Sequence, residues 1–205
     1  MNKLKLVIAS KNEHKVREIK DILADLPLKL DIKALSEIKN IPEVIEDGRT
    51  FTANAVKKAV EICKVVECLV VADDSGLMVD YLYGEPGVLS ARYAGEPCND
   101  SLNNKKLIYK MVNVPWEKRD AQFHCTIALA EPNGEVHICE GVCFGKIGYR
   151  LKGEHGFGYD PLFVLPAYDN RTFAELDPVL KNRISHRAKA LAQLKQLFIE
   201  KFCLD

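Results

Sequence analysis

The sequence of 205 residues lacks several features that mark whole classes of protein. It has no apolar run of about 18 residues, the length that a helix needs to cross a bilayer. The apolar run in its first ten residues, MNKLKLVIAS, is too short for a signal peptide. Lysine and arginine (29) balance aspartate and glutamate (29), so there is no overall basic charge to attract nucleic acid. We therefore expect a cytoplasmic protein that binds neither membranes nor nucleic acid.

Cysteine is present, but it lacks the spacing of a metal or redox site. None of the seven cysteines belongs to a C-x-x-C pair, so neither a zinc site nor a thioredoxin-like site is indicated. Several lie among apolar neighbours, and we expect buried, reduced thiols. The glycines of a Walker P-loop are also missing. Any phosphate site must therefore be built in another way.

The order of the predicted elements indicates a layered α/β fold. An apolar run at 4–9 is followed by helical periodicity and then by a second strand at 29–34. Strand–helix–strand openings of this kind are typical of layered α/β proteins. The alternating stretches 121–130 and 135–147 flank Asn133–Gly134, which predicts a long antiparallel hairpin. We predict a mixed central sheet with flanking helices.

The remaining elements fit the same arrangement. Helices are predicted at 50–67, from a cap at Asp100 to about 112, and at 185–202, with a short buried strand at 69–72. The stretch 148–160 is rich in glycine and reads as a loop. Because the sequence shows no internal repeat and no flexible linker, we expect residues 1–205 to form a single domain.

The stretch VVADDSGLMVD places two adjacent acids directly after the predicted strand. Asp73 and Asp74 should point to opposite faces, as neighbouring strand residues do. A carboxylate near a core costs free energy unless it is paired or binds a metal ion. Oxygen ligands favour Mg²⁺ or Ca²⁺. The alternative is structural, with one Asp capping the following turn and Gly76 making the bend.

A second polar segment lies across the junction between the first strand and the first helix. The free N–H groups and partial positive charge of a helix N-terminus suit a phosphate, and Lys15 adds a mobile cation. The alternative is plain capping, with Ser10 and Glu13 forming a capping box. In that case Lys15 pairs with Glu18 or faces solvent.

Two further polar segments could bind a ligand. Gly156–Asp160 joins a flexible backbone to aromatic faces, which can stack on a nucleobase for about 1–3 kcal/mol. The alternative is a tight turn with Phe157 and Tyr159 packed in the core. Lys181–Arg187 forms a cationic cluster, for which the alternative is a solvated helix end capped by Ser185. Taken together, the polar segments provide what a nucleoside triphosphate site needs.

Five ordered motifs resemble those of the inosine/xanthosine triphosphate pyrophosphatases, the Ham1-like nucleotide hydrolases. They are ASKNEHKVREI, EDGRTFTANAVKKA, ADDSGLMVDYLYGEPGVLSARYAG, GFGYDPLF and TFAELDPVLKNRISHRAKAL. The resemblance runs from Ile8 to about Leu191. It implies Mg²⁺-dependent cleavage of ITP, dITP or XTP between the α- and β-phosphates, which releases a nucleoside monophosphate and pyrophosphate. It also implies two lobes with a cleft between them, and a homodimer.

The resemblance also implies roles for single residues. Asp74 is implied as base and metal ligand, Glu46 as the second metal ligand, and Lys15 as a cation that stabilises charge. Because a carboxylate bound to Mg²⁺ is a poor base, Asp73 or a metal-bound hydroxide is the alternative base. The implied substrate-binding residues are Ser10, Lys11, Asn12, Glu13, His14, Lys15, Ser75, Phe157, Gly158, Tyr159, Asp160, Lys181, Ser185, His186 and Arg187.

Base selection has a physical interpretation. Hydrogen-bond donors aimed at purine position 6 would donate to the oxygen of inosine but would face the amine of adenine, which is itself a donor. The candidate donors are Arg187 and also His186 or a backbone N–H. Three alternative functions stay open at this point: a purine-nucleotide sensor without hydrolysis, a pyrophosphatase for other modified nucleotides, and an RNA-binding domain. The retained carboxylates argue against the sensor, and the zero net charge argues against RNA binding.

Overall fold

A computed structural model describes residues 3–203 of the chain. Its helices are α1 (Glu13–Leu23), α2 (Phe51–Val66), α3 (Asp100–Lys110), α4 (Pro178–Ile184) and α5 (His186–Phe202). Its strands are β1 (Leu4–Ile8), β2 (Leu30–Ala34), β3 (Leu69–Val79), β4 (Asp120–Ala130), β5 (Val136–Ile147), β6 (Phe163–Leu165) and β7 (Arg171–Thr172). Within the described residues, no helix is both long enough and apolar enough to cross a membrane.

The strands form one mixed sheet in the order β2-β1-β3-β4-β5-β6-β7. β1 runs parallel to β2, with Leu4 opposite Leu30, and parallel to β3, with Leu6 opposite Leu69. β6 runs antiparallel to both β5 and β7. The prediction of a mixed central sheet with flanking helices is therefore confirmed. The predicted hairpin is present as β4 and β5, and Gly134 takes the left-handed conformation in their turn (φ +93°).

The largest correction concerns β3, which was predicted to stop at Ala72. The strand continues to Val79, so both acids and Gly76 lie inside it rather than after it. The buried side chains of Leu77 and Val79 resume the apolar pattern beyond the polar stretch. The alternative of an Asp-capped turn bent at Gly76 is therefore wrong.

Helix caps also differ from the predicted ones. α1 is capped by Asn12, whose side chain accepts a hydrogen bond from the Lys15 N–H, so the predicted capping box of Ser10 and Glu13 is wrong. Asn99, not Asp100, is the cap of α3. The predicted helix at 185–202 begins at His186.

Ser185 ends a separate short helix, α4, that the sequence pattern did not reveal. Asp177 caps α4 by accepting a hydrogen bond from the Val179 N–H, and proline occupies the first turn, where its missing N–H costs nothing.

The chain divides into two compact units, and the prediction of a single domain stays a prediction. The first unit comprises the chain up to Asp74, Cys125–Gly141 and the chain from Arg187 onward. The second unit comprises Ser75–His124 and Val142–His186. β3, β4 and β5 each contribute residues to both units.

The core of the first unit lies in two apolar clusters on opposite sides of its strands. One cluster packs α1 and α5, and its fully buried members include Ile8, Val71, Ile19, Leu191 and Leu194. The other packs α2, and its buried members include Val7, Val70, Ala72, Ala55 and Ala59. Successive residues of β1 and β3 therefore alternate between the clusters, as the period of a strand requires.

The second unit has its own core, built on Leu77, Tyr159, Phe163 and Phe173. A fully buried arginine, Arg119, lies beside it. Its guanidinium donates to four backbone carbonyls, those of Met111, Val114, Ile147 and Gly148, at 2.6–3.0 Å. These bonds satisfy the buried cation with backbone acceptors and join β5 to the segment before β4.

Candidate active site

Asp73 and Asp74 are neighbours in β3, and their side chains point to opposite faces. Val71 belongs to the cluster that packs α1 and α5, and Asp73, two residues on, points the same way. Ala72 belongs to the cluster that packs α2, and Asp74 correspondingly meets Asn54 of α2. Within the first unit, the two carboxylates thus lie on opposite faces of β3.

Asp73 is completely buried and is surrounded by hydrogen-bond donors. Lys15 Nζ lies 2.5 Å from Oδ1, and Arg187 Nε lies 2.9 Å from Oδ2. The Cys125 thiol donates to Oδ2 at 3.1 Å. Burial alone would raise the pKa of Asp73, but Arg187 and Lys15 hold it well below its usual value. Asp73 is therefore held in its ionised form and is a poor proton acceptor.

Asp74 is also buried, yet its surroundings compensate its charge far less. Its Oδ2 accepts a hydrogen bond from Asn54 Nδ2 at 2.9 Å, and no other hydrogen bond to it is found among residues 3–203. Burial raises the pKa of Asp74, and nearby Glu46 raises it further, although Lys15 and Asn54 act in the opposite direction. The carboxylate is therefore better suited than Asp73 to accept a proton or a cation.

Glu46 supplies a second carboxylate to the same side of the first unit. Its Oε1 lies 2.5 Å from Lys58 Nζ of α2, and its negative charge contributes to the raised pKa of Asp74. Carboxylate oxygens on two separate elements, one of them with a raised pKa, fit a divalent cation such as Mg²⁺, since it would relieve the repulsion between them.

The segment before and at the start of α1 lies in the first unit too. Ser10 is buried, and its Oγ accepts a hydrogen bond from the Asn12 N–H. Lys15 pairs with Asp73, so the alternatives of a pair with Glu18 or a solvent-facing ammonium are wrong. The Lys11 ammonium instead pairs with Glu43 at the surface. The other predicted residues of this segment are exposed: Asn12, Glu13 and His14.

In the second unit, Asp160 and Lys181 form a buried ion pair. Lys181 Nζ lies 2.7 Å from Asp160 Oδ2, which also accepts the Phe157 N–H at 2.9 Å. The same ammonium lies 4.8 Å from the centre of the Phe157 ring. The solvated helix end considered for Lys181 is therefore wrong. Gly156 is required here, because a Cβ on it would lie 2.0 Å from Asp160 Oδ2.

Two residues of the predicted base-binding set are core residues of the second unit. Tyr159 is buried, and its hydroxyl donates to the Ser90 carbonyl oxygen at 2.8 Å. Its ring therefore has the position foreseen in the core-packing alternative. His186 is buried as well, and its ring stacks on Phe123 with centroids 4.7 Å apart. Ser185 is buried, and Ser75 is half-buried in β3.

Arg187 lies in the first unit, and its guanidinium is engaged by acids. Besides Asp73, it donates to Glu18 of α1, and its side chain is only 1% exposed. Asp73 and Glu18 keep its pKa above the usual range despite burial. Contacts within the chain therefore occupy its guanidinium, and its role in selecting the purine base stays a prediction.

Sequence reasoning missed several partners of the predicted residues. Asn54, Lys58 and Cys125 contact the acids of the first unit. In the second unit, Asp100 accepts the Gly158 N–H and Asn104 donates to the Gly158 carbonyl, both at 2.8 Å. Only Asn54 gave a local signal, as a polar residue beside Ala55 on the apolar face of a predicted helix.

A separate acidic cluster lies near the turn between β4 and β5. Glu131, Glu135 and His137 have potential metal-ligating atoms within 4.8 Å of one another. The Lys201 ammonium lies 2.6 Å from each glutamate and 3.0 Å from the histidine nitrogen. Lys201 therefore already supplies the positive charge at this position.

Comparison with known proteins gives a consistent result. The sequence model of the Ham1 family matches residues 6–197. The chain is 50% identical to a protein from Desulforamulus reducens named dITP/XTP pyrophosphatase, with 95% of both chains covered. It is 47% identical to a protein of the same name from Shouchella clausii, with 93% of this chain and 94% of the other covered.

Solved structures give the same picture. A Ham1 protein from Coxiella burnetii superposes with a TM-score of 0.86 at 41% identity. The Ham1 protein of Staphylococcus aureus superposes with a TM-score of 0.85 at 39% identity. In both cases 96% of this chain and 99% of the other chain are covered.

Proposed function

Because this chain belongs to the Ham1 family, we propose that it is a nucleoside triphosphate pyrophosphatase acting on the non-standard purine nucleotides ITP, dITP and XTP. It releases a nucleoside monophosphate and pyrophosphate and so removes these nucleotides from the cellular pool. The observation that carries the proposal is the pair of buried acids in β3: cations neutralise Asp73, whereas Asp74 can bind a ligand. The chain that contains this pair is about half identical to proteins named for this reaction.

We assign Mg²⁺ as the cofactor, held by Glu46 and Asp74. The ion, when bound, neutralises charge on the triphosphate. Both residues offer oxygen ligands, and burial, with a smaller contribution from Glu46, raises the pKa of Asp74, so a bound cation would stabilise its ionised form. A divalent cation held by these two carboxylates would therefore take part in the reaction.

Asp74 is the better of the two acids for orienting the attacking water, whose proton passes to solvent because a carboxylate that holds Mg²⁺ is a poor base. Water attacks the α-phosphorus, the bond from that phosphorus to the α–β bridging oxygen breaks, and pyrophosphate leaves with the bond electrons. Asp73 is held ionised and fully buried, so it serves to fix Lys15 and is a poor base. Lys15, 17% exposed, stabilises the developing phosphate charge.

The remaining substrate contacts are proposed from the family motifs. Ser10–Lys15 contacts phosphates from the first unit. In the second unit, Phe157 and Gly158 contact the base, and Lys181, Ser185 and His186 supply donors. Asp160 orients Lys181 and the Phe157 N–H, which is consistent with this assignment. Tyr159 supports the segment from the core. We also propose that the whole chain acts as one domain and assembles as a homodimer in the cytoplasm.

The first experiment measures pyrophosphate release from ITP, XTP, dITP, ATP and GTP, with Mg²⁺ and with chelator. We expect Mg²⁺-dependent release that strongly favours ITP, dITP and XTP. Tight ITP binding without release would instead identify a sensor. Release from modified pyrimidine triphosphates alone would indicate a pyrophosphatase with a different pocket. The matched control is Asp74→Asn, which keeps the shape of the side chain.

A further inference from the structure

Asn54 makes two hydrogen bonds that connect separate parts of the first unit. It lies on α2 and is 1% exposed. Its Oδ1 accepts the backbone N–H of Gly48 at 2.7 Å, and its Nδ2 donates to Asp74 Oδ2 at 2.9 Å. Gly48 follows Glu46 by two residues, so this single amide joins the loop that carries Glu46 to the carboxylate of Asp74.

The orientation of the Asn54 amide follows from its neighbours. A backbone N–H can only donate, so the atom facing Gly48 must be the oxygen. The amino group must then face Asp74, where it meets a carboxylate that accepts. Each end of the amide therefore has a partner of the required kind, and a flipped amide would lose both bonds.

Helix capping does not account for Asn54. Thr50 already caps α2 by accepting the Ala53 N–H, and the Thr50 carbonyl accepts the backbone N–H of Asn54. The side chain of Asn54 therefore forms its hydrogen bonds with the loop and with Asp74 rather than with the helix end.

The loop is also shaped to receive this side chain. A Cβ on Gly48 would lie 2.5 Å from Asn54 Oδ1 and 3.0 Å from Ala53 Cβ. Such a contact is too short to exist without a shift of the loop or of Asn54. The absence of a side chain at position 48 is therefore a condition for the hydrogen bond.

We propose that Asn54 is a positioning residue that sets the distance and orientation between Glu46 and Asp74 as ligands of one divalent cation. This inference rests on the proposed function, because it takes the two acids as the metal ligands. Partners that orient metal ligands typically contribute 10–100-fold in affinity or activity. Asn54 does so from outside the ligand set, through the Gly48 amide on one side and Asp74 on the other.

The first test measures cation binding directly, without substrate. Mn²⁺, whose free form is followed by electron paramagnetic resonance, and Mg²⁺, followed by calorimetry, are titrated into wild type and Asn54→Ala. We expect the variant to bind both cations at least about 10-fold more weakly than wild type. We also expect kcat to fall more than KM rises. Wild-type affinity for both ions in folded Asn54→Ala would overturn the inference.

The matched control is Asn103→Ala in the second unit. Asn103 is 2% exposed and likewise uses its amide fully, with Nδ2 bonded to the Ser90 and Ala91 carbonyls and Oδ1 to the Ala94 N–H. Loss of this side chain should lower stability without changing cation affinity. An equal loss of affinity in Asn103→Ala would mean that general destabilisation explains the Asn54 result, and would overturn the inference.

The second test uses Gly48→Ala, which leaves Asn54 in place and serves if Asn54→Ala does not fold. We expect folded Gly48→Ala to bind Mn²⁺ several-fold more weakly. The double variant Gly48→Ala/Asn54→Ala should bind no more weakly than Asn54→Ala alone, because the contact at 2.5 Å no longer exists. Wild-type affinity in folded Gly48→Ala, or fully additive losses, would contradict the role of Asn54.

Failure of the proposed function would look different. In that case wild type itself would neither bind these cations near Glu46 and Asp74 nor release pyrophosphate. If only the role of Asn54 is wrong, wild type still binds the cations and hydrolyses ITP, and the variants show unchanged affinity, an equal loss in Asn103→Ala, or fully additive losses.

Discussion

The two sides of β3 treat neighbouring carboxylates in opposite ways. Asp73 and Asp74 are both buried, 1% and 6% exposed, and share one strand. On one side, two cations and a thiol surround Asp73 and keep it ionised. On the other side, burial and a second acid raise the pKa of Asp74, and the Asn54 amide, Lys15 and Lys58 oppose them only in part. Burial alone therefore does not determine what a carboxylate does; its partners do.

The two faces of β3 therefore have different roles: the Asp73 side is structural, and the Asp74 side is the one proposed for the reaction. The cations around Asp73 compensate the cost of removing its charge from water, so this side of the strand is complete without a ligand. On the side that carries Asp74, Lys58 pairs with Glu46 and Lys15 lowers the pKa of Asp74, yet that pKa stays raised, so a bound cation would compensate further charge. Each of the following substitutions tests this contrast, beginning with the largest expected effect.

Asp73→Asn should destabilise the protein most. It removes the carboxylate that pairs with Lys15 and leaves Arg187 with Glu18 as its one remaining carboxylate partner among the described residues, and breaking a buried pair in this way typically costs about 3–5 kcal/mol. Urea unfolding followed by circular dichroism measures this loss. A change within about 1 kcal/mol would show that the two cations find other partners, and would erase the distinction between the two sides.

Asp74→Asn should lower activity and spare stability. We expect kcat/KM for ITP at saturating Mg²⁺ to fall on the order of 10²–10³-fold, comparable with removal of a strong transition-state contact. The free energy of unfolding should change little, since the Asn54 hydrogen bond can persist to the new amide oxygen. Turnover near the wild-type rate would remove Asp74 from the chemistry.

Cys125→Ala should have a modest effect. It removes one donor from Asp73 while both cations remain, so we expect a loss of about 1 kcal/mol in the free energy of unfolding. Cys125→Ser, which keeps a donor at this position, is the control and should lose less. Equal losses in the two variants would mean that packing rather than the hydrogen bond explains the contribution of Cys125.

Lys57→Ala should have the smallest effect. Lys57 pairs with Asp47 at the surface, whereas the next residue, Lys58, pairs with Glu46. Exposed ion pairs contribute little. We expect no measurable change in unfolding or in Mn²⁺ affinity, measured in parallel with Lys58→Ala. A change in Mn²⁺ affinity with Lys57→Ala would show that charges beyond the direct contacts of Glu46 and Asp74 affect cation binding.

The fold was predictable where local pattern decides structure. The alternation of 121–130 and 135–147 around Asn133–Gly134 gave the hairpin, and the period of the strand gave the opposite directions of Asp73 and Asp74. The length of β3 was not predictable in this way. Two adjacent acids normally end a buried strand, and the residue that allows the strand to continue, Arg187, lies 114 positions away.

The candidate site was predictable where its residues belong to the sequence motifs. The motifs identified the acids and Lys15, but residue type did not reveal which cations were already engaged. Arg187 resembles a free donor in the sequence, yet Asp73 and Glu18 occupy its guanidinium. Tyr159 resembles a stacking surface, yet it lies in the core. Such outcomes depend on long-range packing, which a local pattern does not contain.

The separation between Asp73 and Arg187 also has a consequence for biosynthesis. A growing chain that has reached His186 already contains both acids and Lys15, but not the guanidinium that completes the cluster around Asp73. Until the following segment is made, the first unit would have to bury a carboxylate with only part of its neutralising charge, which disfavours premature compaction. Polypeptides interrupted before Arg187 lack both this guanidinium and the core side chains of α5, and should therefore stay open to proteases.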